Sequence, residues 1–415
     1  MTTPSPSAAP VDVLQQTDFR LLLVERLMSA LAGVGFATVI GYQLYTMTRD
    51  PLSLGWLGLV EAIPALALSL IGGYIADRAN RKRIVLSTEA VNVLCMLTLM
   101  GLAFNPERYG LGAIYSVVAV IGFATGFFRP ASSAFEQQVI PIKQAARGAS
   151  LTGSMWLTGG ILGGPLAGFS IDLLGIPTTY GLIALMMVIA FTCFALIPAR
   201  PVPPPEAGET IGQSLRAGVR FALKSQPLVG SMALDLFAVL FGGAMALLPI
   251  FATDILHVGA SGLGFLRTAP SIGALLVMAV ATRRPPTTHA GRNLLWCVGG
   301  FGVSMIVFGL SRSFALSLVA LFFSGIFDGV SMIIREVILR VLSPEAMRGR
   351  IASVSWLFIG ASNELGAFES GVFASLLGTA PSVIAGGSVT LLVVAVVAST
   401  LPGLRRLQLP DAREA

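Results

Sequence analysis

Stretches of about 20 consecutive apolar residues recur along nearly all of this 415-residue chain, and they limit its fold more than any motif does. As a helix rising 1.5 Å per residue, each such stretch is long enough to cross the roughly 30 Å hydrocarbon core of a bilayer. Twelve are read: 21–46, 53–76, 84–104, 111–135, 149–172, 178–198, 228–250, 260–282, 293–310, 314–340, 351–377 and 382–402. They are continuously apolar, without the alternation of barrel strands, so they are predicted to be helices. Hydrophobic residues make up 54% of the chain and charged residues only 12%, about half the share usual in soluble proteins. Most of the surface must therefore face something other than water.

The cations fix the expected orientation. Of the 27 Lys and Arg residues, 20 fall in segments on the side of the N-terminus, with the densest group at Arg78, Arg81, Lys82 and Arg83. Three, Arg49, Arg108 and Arg312, fall in loops on the opposite side, and Arg26, Arg129, Arg267 and Arg335 lie inside spans. Basic residues stay on the cytoplasmic side during insertion, so both termini are expected there. Cations divided among short loops do not build a nucleic-acid face. The polar Met1–Asp18 segment lacks the basic start of a secretory signal, so the first span reads as an uncleaved helix. Cys95, Cys193 and Cys297 are isolated in apolar spans and His257 and His289 lie far apart, so neither a disulfide framework nor a metal site is indicated.

The chain divides near its middle. Arg200-Pro201-Val202-Pro203-Pro204-Pro205-Glu206 reads as a stiff extended spacer. Ile211 to Lys224 follows as an amphipathic helix, with Ile211, Leu215 and Val219 on one stripe and Arg216, Arg220 and Lys224 on another. The predicted organisation is a tail (1–20), a six-helix bundle (21–198), a linker (199–226), a second six-helix bundle (227–402) and a tail (403–415). The halves echo each other. Gly122-Phe123-Ala124-Thr125-Gly126 leads to Arg147-Gly148 and Trp156, as Gly325-Ile326-Phe327-Asp328-Gly329 leads to Arg348-Gly349 and Trp356. Likewise Leu54-Gly55-Trp56-Leu57 matches Leu263-Gly264-Phe265-Leu266.

The loop Gly73-Tyr74-Ile75-Ala76-Asp77-Arg78-Ala79-Asn80-Arg81-Lys82 resembles the one joining the second and third helices of major facilitator superfamily transporters. The resemblance extends over nearly the whole chain. It includes Arg26-x-x-Ser29, Leu215-Arg216-Ala217-Gly218-Val219-Arg220-Phe221 and Ser343-Pro344-Glu345-Ala346-Met347-Arg348-Gly349-Arg350-Ile351, and is nearest the branch of bacterial exporters that includes the enterobactin (siderophore) exporter. It implies an all-α integral membrane fold of twelve helices in two bundles related by a parallel pseudo-repeat. It also implies a gating role for Gly73, Asp77, Arg78, Arg81 and Lys82, with Asp77 holding the cytoplasmic side shut across the two bundles. Asn80 stands where the family usually has Gly, and is expected to tolerate a left-handed turn there. The corresponding Arg283-Arg284-Pro285-Pro286 has no Asp, so the gate is asymmetric. Gly160, Gly164, Pro165 and Gly168 resemble the Gly-Pro motif of the superfamily's antiporters; glycines four apart also let helices approach closely.

With no Gly-Lys dipeptide there is no Walker loop, and no catalytic motif is found. Work must then come from an ion gradient or from the substrate's own gradient. Charges inside spans are costly, so each is a candidate for substrate binding or proton coupling. Glu61, just before Pro64, and Arg267 lie at similar depth in the second and eighth spans and are expected to face each other. Glu364 lies near the middle of the eleventh, with Asp235, Asp328, Glu25 and Arg129 as further candidates. The competing role for each is a static ion pair between helices.

The chain is therefore read as a non-enzymatic secondary transporter, expected as a monomer in the inner membrane of a prokaryote. It would export a small amphipathic compound, siderophore-like or drug-like, against protons, with no cofactor. Uptake of a metabolite or lipid flipping by the same fold is the alternative. A membrane scaffold or receptor is the alternative of a different class.

Overall fold

The computed structural model describes residues 13–201, 220–221, 225–242, 244–281, 288–343 and 348–408. The amphipathic linker stripes, apart from Arg220, the Arg283–Pro286 turn and residues 344–347 lie outside these described residues. Every regular element among them is helical. In order they are α1 (Thr17–Thr48), α2 (Pro51–Ala76), α3 (Arg81–Phe104), α4 (Pro106–Val139), α5 (Ala145–Leu196), α6 (Gln226–Phe241), α7 (Ala244–Ile250), a π turn (Phe251–Ile255), α8 (Gly259–Ala281), α9 (Ala290–Leu310), α10 (Phe314–Leu342), α11 (Arg348–Leu377), α12 (Thr379–Thr400) and α13 (Pro402–Arg405). Ten of the segments are long and apolar enough to cross a membrane. The 52-residue α5 is broken at Gly175, whose φ of 82° is non-helical.

Local chemistry sets the breaks. Arg49 ends α1 in the left-handed region at φ 53°, and Asp50 caps α2 by accepting from Leu52 N–H at 2.9 Å, with Pro51 at the first helical position. Asn80 caps α3 by accepting from Arg83 N–H at 3.3 Å. Its φ of −68° and ψ of 104° are extended, so the left-handed turn expected there does not form. The loop is turned by the cap instead. Short loops make successive helices antiparallel. The turns at 77–80, 140–144 and 197–201 thus share one end, the basic end; those at 49–50, 256–258, 311–313 and 378 share the far end.

Contacts between the first half of the chain (13–201) and the second (225–408) follow two main seams, α5 with α8 and α2 with α11. In the first, Gly164 and Gly264 bring the backbones together: a Cβ on Gly264 would stand 2.5 Å from the Gly164 carbonyl oxygen. In the second, a Cβ on Gly371 would stand 2.8 Å from the Gly55 Cα. Each crossing carries an edge-on aromatic pair beside it. Phe169 and Phe265 have centroids 5.7 Å apart in one, and Trp56 and Phe368 have centroids 5.2 Å apart in the other. The two Leu-Gly-aromatic-Leu repeats are thus both places where the halves touch backbone to backbone. Inside each half the second repeat does equivalent work, with Gly122 against the Glu61 backbone and Gly325 against Pro270.

Adding bulk at these crossings should force the helices apart. Gly264→Leu and Gly371→Leu should each lower the stability of the detergent-solubilised protein, by the ~1–3 kcal/mol that overpacking costs, or more. Gly101→Leu, where a Cβ meets no atom within 4 Å, should leave the melting temperature unchanged.

Candidate functional site

The charges inside the helices fall into three groups according to their partners. The first is internal to one half. Arg26 on α1 reaches Glu136 on α4 at 2.6 Å and lies 3.7 Å from its neighbour Glu25. Glu25 is fully buried and accepts from Ser29 Oγ at 3.1 Å. In the second half Arg335 on α10 pairs with Asp235 on α6 and lies 3.7 Å from Asp328. The guanidinium thus comes from the first helix of one half and from α10 in the other. Arg26–Glu136 and Arg335–Asp235 fasten helices within a half, Asp328 shares Arg335 from its own helix, and Glu25 accepts from Ser29 while its Oε2 makes no hydrogen bond.

The second group joins the halves, and it lies at the far end. Arg49 Nη1 is 2.8 Å from Asp254 Oδ1, and the Tyr45 hydroxyl donates to the same carboxylate. The π turn after Pro249 carries Asp254 to the end of α1. Asp172 near the break of α5 accepts from Ser261 N–H at 2.9 Å and from the Ser261 hydroxyl, at the first turn of α8. A carboxylate at a helix N-terminus is favourably placed against the helix dipole.

No ion pair links the halves at the basic end among the described residues. Asp77 is exposed and pairs with Arg81 at 3.5 Å. Arg81 donates to the Ala76 carbonyl at 3.0 Å and the Ala134 carbonyl at 3.4 Å, and Lys82 to the Ala195 carbonyl at 2.7 Å. Arg78 lies over the Tyr74 ring at 3.7 Å, and Gly73 passes beside Pro130. The whole motif is fastened to the first half here, including the Asp expected to reach the other.

The third group has no contact partner. Glu61 on α2 and Glu364 on α11 face each other's field and that of Arg129 on α4, but none of the three makes an ion pair or side-chain hydrogen bond among the described residues. Glu364 Oε2 would lie 3.4 Å from a Cβ on Gly58, which places it across the α2–α11 seam. Arg267 is on the other seam. Its Nη2 is 3.6 Å from the Cβ position of Gly41 on α1, and its buried Nε has no partner. The next residue, Thr268, donates to the Ile161 carbonyl at 2.8 Å and pins α8 to α5. Glu61 and Arg267 are therefore on separate seams, and Arg129 is the cation that acts on Glu61.

Gly164 and Gly168 of the antiporter-like motif pack backbone to backbone on Gly264 and Ala260. Gly160 and Pro165 complete the same helix face, with Gly160 beside Ser271 and Pro165 beside Gly264. Sequence reading did not single out Asp172, Asp254 or Glu89. The last is buried on α3 with both carboxylate oxygens unpartnered, and its signal was simply a carboxylate within a span. Among the described residues no three His, Cys, Asp or Glu side chains form a metal-binding group.

In sequence and in fold the chain is similar to known transporters. A family model described as Major Facilitator Superfamily matches residues 24–310. "Enterobactin exporter EntS" of Escherichia coli O1:K1 / APEC, and the protein of the same name from Shigella boydii serotype 18, are each 26% identical over 94% of this chain and 93% of their own. Among solved structures, a POT family transporter in complex with 5-aminolevulinic acid superimposes with a TM-score of 0.74 at 13% identity, covering 93% of this chain and 96% of its own. A bacterial homologue of the human lysosomal transporter Spinster, in an inward-facing and unoccupied conformation, gives 0.73 at 13% identity, covering 96% and 100%. Identities so low speak to the fold alone. The family match covers more than half of the sequence, and the chain belongs to the Major Facilitator Superfamily, a family of membrane transporters rather than enzymes.

Proposed function

We propose that this protein is a secondary active transporter of twelve spans in two six-helix bundles, exporting a small amphipathic compound, siderophore-like or drug-like, by alternating access against proton influx. The observation that carries the reading is the contrast among the charges. Glu61, Glu364, Arg129 and Arg267 stand at depth without contact partners, behind a far end that is latched between the halves. Unpaired charges inside a membrane belong where water or a ligand can reach them. Ten membrane-length segments support the reading of twelve spans, which further takes the two parts of α5 on either side of Gly175 as separate spans and counts the 30-residue α11 as one more. Export is favoured by the relatives named as enterobactin exporters.

In the mechanism we propose, the conformation latched at the far end receives substrate from the basic, cytoplasmic end. The substrate contacts Arg267 on one seam and the Glu61–Glu364 pair on the other. Two carboxylates sharing the field of Arg129 form a site whose proton occupancy depends on how near that cation stands. Opening outward releases Asp254 from Arg49 and Tyr45 and Asp172 from Ser261. Closing the basic end brings Asp77 to the opposite bundle. A few kcal/mol of differential binding suffices to move such an equilibrium by orders of magnitude.

Three measurements follow. In a chain without its own cysteines, Cys at 78–83 should be labelled only from the cytoplasm and Cys in place of Arg108 only from outside; labelling of both from one side would contradict the topology. Asp77→Asn should insert normally yet reduce transport strongly, and an unchanged rate would leave Asp77 as a solvated loop residue. Glu61→Gln should lose export driven by an imposed pH gradient in proteoliposomes while keeping counterflow of substrate. Arg267→Ala should impair both, most of all for anionic substrates. Full response of Glu61→Gln to the proton gradient would move the coupling site to Glu364.

A further inference from the structure

The face of the second half built by α9, α10 and α12 carries a groove of about 850 Å³, apart from both seams and reaching the Asp235–Asp328 cavity only at Cys297 and Phe327, which line both. Its shape comes from small residues. Gly299 on α9 has only Leu391 at 4.0 Å from its Cβ position, which leaves space open, and the Phe327 ring lies directly against Gly300. The lining is otherwise apolar along most of α9, from Arg292 to Val307. At 1.5 Å per residue that run is roughly 22 Å, the thickness of one leaflet including its headgroups, about 20–22 Å.

Only one end of the groove is charged. Arg292 at the start of α9 and Arg405 on α13 both line it at the basic end. Both are exposed, and neither makes an ion pair among the described residues. One turn deeper is Trp296, 71% exposed, at the level where indole rings settle between headgroups and hydrocarbon. Two free guanidinium groups above an aromatic ring, with a lipid-length apolar trough below, match an anionic phospholipid in both charge and length. A zwitterionic lipid would present its own cation to the two arginines, and a free anion would leave the trough unused.

We propose that this groove is a binding site for an anionic phospholipid of the leaflet at the basic end, with its phosphate between Arg292 and Arg405 and an acyl chain along α9 past Gly299. The site is independent of the substrate site, so its test stands whether or not the chain exports anything.

Trp296 is a reporter already in the groove. In a chain carrying Trp56→Phe, Trp156→Phe and Trp356→Phe, reconstituted in phosphatidylcholine nanodiscs, a small fraction of brominated phosphatidylglycerol should quench Trp296 more than the same fraction of brominated phosphatidylcholine. The preference expected from two arginines is on the order of tenfold. Arg292→Gln with Arg405→Gln should remove the preference, and Gly299→Leu, which fills the trough, should weaken quenching by both lipids. Equal quenching by the two lipids in the otherwise unaltered chain overturns the proposal, as does a preference that survives loss of both arginines. Should the double variant fail to assemble, the comparison of lipids on the parent chain decides alone.

Discussion

A charge placed in hydrocarbon must find a partner or water, and that requirement organises this molecule. Most of its in-span charges meet the requirement with protein. Arg26 and Arg335 each draw carboxylates from a neighbouring helix and so tie helices together within a half. Arg49 and Ser261 do the same between halves, holding Asp254 and Asp172 at the far end. Among the described residues, the in-span charges left after this pairing, without an ion pair, are Glu61, Glu364, Arg129 and Arg267, with the buried Glu89 on α3 and Glu369 on α11, which accepts only from Ser370. Pairing thus separates the charges that tie helices together from those to which the proposed function assigns substrate and proton binding.

Close backbone approach supplies the second organising element. Lipid tails give helices no hydrophobic reason to associate, so contact depends on small residues and the dispersion and hydrogen bonding that they allow. The Gly164–Gly264 and Gly55–Gly371 crossings lie near the far end, each with its aromatic pair. Gly264 and Gly55 stand within the first two turns of α8 and α2, as Ser261, the partner of Asp172, stands in the first turn of α8. Seams and latch therefore close the same end, and the unpaired charges lie just beyond it. In the proposed alternating access, the halves turn about these seams when the latch opens.

Much of this was legible in the sequence. Most apolar runs match single helices within about five residues, while 149–172 and 178–198 share α5 and 228–250 is divided among α6, α7 and the π turn; a span's length is set by the bilayer and its ends by Pro, Gly, Asn and Asp. The repeated Leu-Gly-aromatic-Leu was visible as a repeat, although its role as a seam needed two more helices to be placed. Depth could be counted along a helix, and it put Glu61 and Arg267 at one level. Direction around a bundle could not be counted, so their assignment to separate seams, and the role of Arg129 beside Glu61, emerged only in three dimensions. Asp172 and Asp254 escaped notice for a related reason. At the edge of a span a carboxylate looks solvated, and only the fold shows that each meets the opposite half. Asn80 was legible as a tolerated exception, yet it works as a helix cap.

Alternating access as proposed requires the far and basic ends to open in opposition, and distances between spin labels test that most directly. One pair of labels would replace Arg108 and His257 at the far end, and another Arg83 and Arg340 at the basic end; all four positions are exposed and each pair spans the two halves. Removing the latch with Asp172→Asn and Asp254→Asn should lengthen the far-end distance and shorten the basic-end distance in the same molecules. A far end that loosens while the basic end stays as it was, or two distances that do not change, would contradict alternating access about these seams.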